Sequence, residues 1–139
     1  MVCIVTYRVF SESGTFSAPS NAKVRVLCIG GGGGDGYAYY GGGAGSGFLS
    51  SMEFIVEKNQ NYNVRIGSGE NGGNSDNQRL GTAGGDTAFS DFLIAPGGNL
   101  VNAGNSQTGG AGGSGGGGSS YDGSPVGNGG RNGANGGNG

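Results

Sequence analysis

The sequence predicts an all-β protein, in which a small β-sandwich or sheet layer is combined with a bundle of polyglycine II helices and there is essentially no α-helix. Glycine accounts for 38 of the 139 residues, roughly four times its ordinary usage. β-Branched and aromatic segments alternate with glycine-rich stretches, and no segment keeps an apolar period of 3.6 residues. We expect a single glycine-rich domain over residues 1–139.

The residues typical of β-strands are concentrated in three parts of the chain. These strand segments are predicted at about 1–29, 48–66 and 86–96. The first begins with Val2–Phe10, which is rich in β-branched and aromatic residues and predicts a strand. Phe48–Val56 and Tyr62–Ile66 are separated by a short polar turn, so we expect them to form a hairpin.

One predicted strand has apolar residues on both sides. Val24, Val26 and Cys28 alternate with residues that face the other way. Because Leu27 and Ile29 on that other side are apolar too, we expect both faces of the strand to be covered.

The remaining chain is dominated by glycine, at about 30–47, 67–85 and 102–139. Glycines in the last stretch recur at every third residue, the period of the extended polyproline II helix. Collagen also has this period but needs abundant proline, and this chain has three. Side-chain-free helices of this kind can approach closely and bond through their backbones, although glycine this abundant also produces periods by chance. The glycines predicted to pack in this way are Gly30, Gly31, Gly32, Gly33, Gly34, Gly109, Gly112, Gly115, Gly118, Gly127, Gly130, Gly133 and Gly136.

Charge and composition exclude several classes of function. The net charge is −2, which disfavours a nucleic-acid-binding protein that neutralises phosphates. Histidine is absent, which removes the commonest general base and the commonest metal ligand. The glycine run after Ile29 matches a dinucleotide-binding loop only loosely, because no helix is predicted to follow it. No apolar run is long enough to span a bilayer. We therefore expect no enzyme activity, no catalytic residue, no cofactor, no metal, no nucleic-acid partner and no membrane insertion.

The cysteines and acidic residues have ordinary structural interpretations. Cys3 and Cys28 lie in apolar surroundings and are expected as buried thiols, with a disulfide between neighbouring strands as the alternative. Asp86 and Asp91 resemble paired carboxylates only by proximity, and we interpret them as acids that cap turns. The minor alternative is a calcium site of Asp side chains and backbone carbonyls, although the EF-hand and β-roll repeat patterns are absent.

A cluster of tyrosines lies between two glycine runs. Tyr37, Tyr39 and Tyr40 are candidates for a recognition loop, because aromatic side chains on such loops offer rigid contact area. The alternative is that they cover the glycine bundle.

The order of these segments resembles the glycine-rich domain of bacteriophage tail-fibre and other virion proteins, a polyglycine II-containing, adhesin-like domain. The resemblance rests on Phe10-x3-Gly14-x-Phe16-x2-Pro19, on Val24-x-Val26 leading into Gly30–Gly34, and on Val64-x-Ile66-Gly67-x-Gly69 with Gly84-Gly85-Asp86-Thr87-x-Phe89. It covers roughly residues 8–118. A more distant likeness is to the glycine-rich extracellular region of the anaplastic lymphoma and leukocyte tyrosine kinase receptors.

The resemblance implies a non-enzymatic structural or attachment protein at a virion surface: a tail-fibre, capsid or decoration subunit. Its implied partners are further copies of the chain, other virion structural proteins, and a host surface receptor or glycan. The alternative is an extracellular cellular protein, such as a glycine-rich filament, matrix or adhesive protein. Ice binding is a third candidate, which the scarcity of threonine disfavours.

Overall fold

The computed structural model describes residues 5–37, 41–74, 81–101, 108–119 and 129–130. Its strands are β1 (Gly14–Ser17), β2 (Ala22–Ile29), β3 (Leu49–Val56), β4 (Asn61–Arg65), β5 (Thr87–Phe89) and β6 (Leu93–Ala95). Because no helix occurs in these described ranges, the predicted all-β class is confirmed.

The strands form two antiparallel sheets. One has the order β1-β4-β5-β6, and the other consists of β2 and β3. The second sheet is paired along its whole length, from Ala22 opposite Val56 to Ile29 opposite Leu49. Each of the longer glycine-rich segments therefore connects or follows strands whose positions the two sheets set.

The predicted hairpin between β3 and β4 is wrong, since β3 pairs with β2 and β4 pairs with β1. The polar turn carries the chain from one sheet to the other. Asn59 adopts a positive φ of 63° there, and its N–H donates to the Ala18 carbonyl over 2.8 Å. This crossing lets Val56 and Tyr62 enter one core from opposite sheets, which a flat hairpin would not allow.

The core lies between the two sheets and is built around Phe89. Its ring stacks on Tyr62 with centroids 5.4 Å apart and on Phe54 with centroids 5.6 Å apart. The buried members are Ala18, Cys28, Val56, Tyr62, Val64, Phe89 and Ala95. Cys28 is a free thiol whose pKa is raised by burial, as expected of a cysteine that acts as a small apolar side chain; Cys3 lies outside the described residues.

The second face of β2 is not covered in the described chain, which corrects the sequence-based expectation. Leu27 and Ile29 are 58% and 59% exposed. Beside them, Lys23 and Arg25 form ion pairs with Glu53 at 2.6 and 2.8 Å. Their hydrogen bonds to the Glu53 carboxylate lower its pKa.

The strand predicted over Val2–Phe10 is also not formed where it can be observed. Residues 5–10 have no strand structure, and residues 1–4 lie outside the described ranges. Val5, Tyr7 and Val9 are 79–91% exposed. β-Propensity largely reflects packing on a neighbouring strand, and among the described residues this segment pairs with no other strand.

Phe89→Ala should lower the free energy of unfolding by about 3–5 kcal/mol, because it removes the ring on which Tyr62 and Phe54 stack. Phe92→Ala deletes the same atoms from a side chain that is 59% exposed and should cost much less. Urea denaturation of the two variants provides the measurement. Equal losses would contradict the placement of the core.

Candidate functional site: the glycine segments and the Tyr37 loop

The glycine-rich segments are joined through their backbones. Segment 30–36 exchanges N–H···O=C hydrogen bonds with segments 41–48, 67–74, 81–86 and 96–101. A β-strand can bond to two neighbours at most. Segment 30–36 therefore lies in the interior of an array in which backbones surround a backbone.

Segment 41–48 occupies a second interior position. It bonds to 30–36, to 96–101 and to 108–119. The Gly45 N–H, for example, donates to the Asn99 carbonyl over 2.9 Å, and the Gly43 carbonyl accepts from the Gly110 N–H over 2.9 Å. The array thus extends from segment 67–74 on one side to segment 108–119 on the other.

Successive bonds to one neighbour are spaced by three residues. The N–H groups of Gly30, Gly33 and Gly36 donate to the carbonyls of Phe48, Gly45 and Gly42 at 2.9, 3.0 and 3.1 Å. The same interval separates Gly110 and Gly113, which donate to Gly43 and Ser46. In a strand this interval would be two residues, because successive backbone groups point to opposite edges. The assignment of these segments to polyglycine II helices stays a prediction.

Most positions in the Gly30–Gly34 run have no room for a side chain. A Cβ on Gly30, Gly31, Gly33 or Gly34 would lie under 3.0 Å from a backbone carbonyl oxygen. These oxygens belong to Pro96, Ser68, Asn99 and Asn71, respectively. Gly32 differs, because a Cβ there would meet nothing within 4 Å.

The predicted glycines of the last stretch are described only in part. A Cβ on Gly109, Gly112 or Gly130 would lie under 3.0 Å from a backbone oxygen, while Gly115 and Gly118 are half-buried. Gly127, Gly133 and Gly136 lie outside the described residues.

A second series of glycines with the same three-residue spacing, offset by one residue from the predicted series, was missed by sequence reasoning. Gly110, Gly113 and Gly116 each donate an N–H to another segment or turn of the array, and a Cβ on any of them would lie under 3.0 Å from a carbonyl oxygen. The paired glycines at 109–110 and 112–113 could have indicated this second series, because a glycine follows each of those two positions of the predicted series. Other glycines with equally little room are Gly45, Gly47, Gly67, Gly81, Gly84, Gly97 and Gly98.

The candidate recognition loop begins at the outer end of segment 30–36. The Gly36 N–H donates to the Gly42 carbonyl over 3.1 Å, and the Ala44 N–H donates to Asp35 Oδ1 over 2.6 Å. Tyr37 is 45% exposed, whereas Tyr39 and Tyr40 lie outside the described residues. Both ends of the loop are thus tied to the glycine array, and its role in recognition stays a prediction.

The acidic side chains accept hydrogen bonds from backbone and side-chain donors. Asp86 Oδ1 accepts from the Gly97 N–H over 3.0 Å, and Glu70 accepts from Ser68 and Thr82 hydroxyls at 3.0 and 2.8 Å. Asp91 is exposed. In the described ranges, no three His, Cys, Asp or Glu side chains come together in a way that could hold a metal ion.

A known family model for a glycine-rich domain matches residues 10–139. The chain belongs to this glycine-rich domain family. No curated protein and no solved structure matches it significantly. In the described part of this glycine-rich domain, no helix has the length and apolar character needed to cross a membrane.

Gly31→Ala and Gly32→Ala are matched variants of the glycine-rich domain at adjacent positions. Gly31→Ala should cost about 1–3 kcal/mol of unfolding free energy or more, since its methyl would overlap the Ser68 carbonyl. Gly32→Ala should be neutral or stabilising by up to about 1 kcal/mol, because its methyl has open space and alanine restricts the unfolded chain. Thermal or urea unfolding would measure both. Similar values for the two would contradict the packing described here.

Proposed function

We propose that this glycine-rich domain is a non-enzymatic structural or attachment protein of a virus particle: a tail-fibre, capsid or decoration subunit displayed at the virion surface. The observation that carries the proposal is the array of glycine segments, whose backbones are in contact on several sides and bonded to one another. Such an array resists deformation and presents its outer surface without a conventional hydrophobic core beneath it.

The glycine segments act as polyglycine II helices in this proposal. Support comes from the three-residue spacing of their hydrogen bonds and from the number of neighbours that segment 30–36 contacts. X-ray crystallography of the domain should give φ near about −75°, ψ near about +145° and a rise of about 3.1 Å per residue in these segments. Values typical of β-strands, with bonds to two neighbours only, would contradict it.

The sandwich and the array have different tasks. The sandwich holds the ends of the glycine segments, since β2 leads into segment 30–36 and β4 leads into segment 67–74. The array then positions the loop at Tyr37 away from the core. That loop and the outer glycine segments contact other virion proteins, further copies of the chain, or a receptor or glycan on the host surface.

The motif order that resembles tail-fibre domains supports a virion over a cellular matrix. Phe16 and the Val24–Val26 alternation lie in strands of the sandwich, Pro19 lies between β1 and β2, and the Gly30–Gly34 run opens the array. The glycine-rich family match alone is compatible with either setting.

Immunogold electron microscopy tests this proposal. Antibodies against the chain should label particles purified from the system that encodes it, at a regular site on a capsid, tail or fibre. Labelling confined to cellular filaments or extracellular matrix would contradict the virion proposal and favour the alternative of an extracellular adhesive protein. One antibody against the sandwich surface and another against the Tyr37 loop would show which face points outward.

A further inference from the structure

Strand β2 has one edge that is not paired with another strand. Its sheet contains only β2 and β3 in the described chain. At eight residues, β2 is as long as β3 and longer than the other strands described. An exposed edge of this length presents a row of backbone donors and acceptors to which another strand can be added.

The backbone groups that face this open edge can be identified. The Gly30 N–H donates to the Phe48 carbonyl and continues the β2–β3 ladder. Because backbone groups alternate between the two edges, the even-numbered residues of β2 bond to β3. The odd-numbered residues Lys23, Arg25, Leu27 and Ile29 therefore point their N–H and C=O groups to the open edge.

An apolar cleft runs along the same edge. Its volume is about 480 Å³, and its walls include Val24, Val26 and Cys28 of β2 together with Val64 and Phe89 of the other sheet. Residues 8–10 of the same chain line it as well. The cleft lies where the two sheets separate, so side chains of an added strand would enter the end of the core.

The chain carries a segment whose pattern suits this site. In residues 5–10, Val5, Tyr7 and Val9 alternate with Thr6, Arg8 and Phe10. Within its own chain the segment forms no strand, and Val5, Tyr7 and Val9 are 79–91% exposed. Phe10 instead packs against the core cluster, and the segment lies along the cleft wall without pairing with β2.

We propose that residues 5–12 of a second copy of this chain add to the open edge of β2 as an antiparallel strand. The added strand directs Val5, Tyr7 and Val9 into the cleft and Thr6 and Arg8 toward solvent. This inference rests on the proposed structural role, since it names the contact through which copies associate. It does not depend on whether the assembly belongs to a virion.

One register satisfies both the side-chain pattern and the charges. With Tyr7 opposite Cys28, residues 5–12 of one copy pair with residues 30–23 of the other. Strand β1 begins at Gly14 and is not disturbed. Glu12 then lies opposite Lys23 and joins its ion pair with Glu53. Phe10 leaves the core of its own copy and lies opposite Arg25. A shift by one residue would turn Val5, Tyr7 and Val9 to solvent and direct Arg8 toward Val26 and Cys28, which is unfavourable for a charge without a partner. Opposite charges on directly facing residues stabilise the antiparallel pair.

Disulfide cross-linking tests this register. In this arrangement Tyr7 and Cys28 form a non-hydrogen-bonded pair, whose Cα atoms are about 4.5 Å apart and within reach of a disulfide. Tyr7→Cys in a Cys3→Ser background should therefore give a disulfide-linked dimer or longer chain of copies on copper-catalysed oxidation. Tyr7 is 91% exposed, so its substitution leaves the fold intact. Arg8→Cys in the same background is the matched control and should not cross-link, because it faces the opposite side.

The location of the disulfide shows whether residues 5–12 pair with β2 of another copy or with β2 of their own chain. A reducible dimer supports the proposal if mass spectrometry places the linkage between the cysteine introduced by Tyr7→Cys and Cys28 of another copy. An intramolecular disulfide in a monomer would overturn it, because residues 5–12 would then pair within their own chain. The absence of cross-linking with Tyr7→Cys, or equal cross-linking with Arg8→Cys, would also overturn it.

A backbone variant tests the same edge without oxidation. Leu27→Pro removes an N–H that points to the open edge, and proline is tolerated at such positions. It should weaken self-association by roughly tenfold or more, while Leu27→Ala keeps that N–H and should weaken it less. Analytical ultracentrifugation measures the association, and far-ultraviolet circular dichroism checks the fold. Unchanged association of folded Leu27→Pro would contradict strand addition.

These results concern contact between copies, whereas immunogold labelling concerns the particle, so each proposal can fail alone.

Discussion

The close approach of one backbone to another is the constraint on which this structure depends. At Gly30, Gly31, Gly33 and Gly34 a single added carbon would overlap a carbonyl of a neighbouring segment. The same contact that excludes a side chain brings N–H and C=O groups within bonding distance. Glycine is therefore required here mainly for its lack of a Cβ, and its freedom of φ is secondary.

This constraint explains why two different kinds of interior are combined. Ordering glycine costs more conformational entropy than ordering any other residue, and a glycine segment has no apolar side chain to offset that cost. Backbone bonds to several neighbours compensate in the array, but only if the segments are already held side by side. The sandwich around Phe89 holds them, because β2, β4 and β6 lead directly into glycine segments.

The surface of the sandwich is incomplete in a related way. In the described residues, Leu27 and Ile29 are exposed beside the Lys23–Glu53 ion pair. The open edge of β2 lies next to them. The described residues thus expose both a sheet face and a strand edge, the usual sites of contact between copies.

Several features could be predicted from the sequence alone. The all-β class followed from β-branched segments and the lack of a helical period, and the inward face of β2 followed from the alternation of Val24, Val26 and Cys28. The need for glycine packing followed from composition, although the phase of Gly110, Gly113 and Gly116 was missed. Their neighbours are other backbones, which leave no trace in the local pattern.

Sequence by itself determined which residues are strand-like and which segments must order through the backbone, because these are local properties of side chains or of their absence. Tertiary structure decided the pairing of β3 with β2, the crossing at Asn59, the open face at Leu27 and the unpaired state of residues 5–10. Each of these depends on which distant segment lies alongside. The apolar pattern of β3 suits pairing with β4 as well as with β2. Packing around the core between the two sheets selects β2.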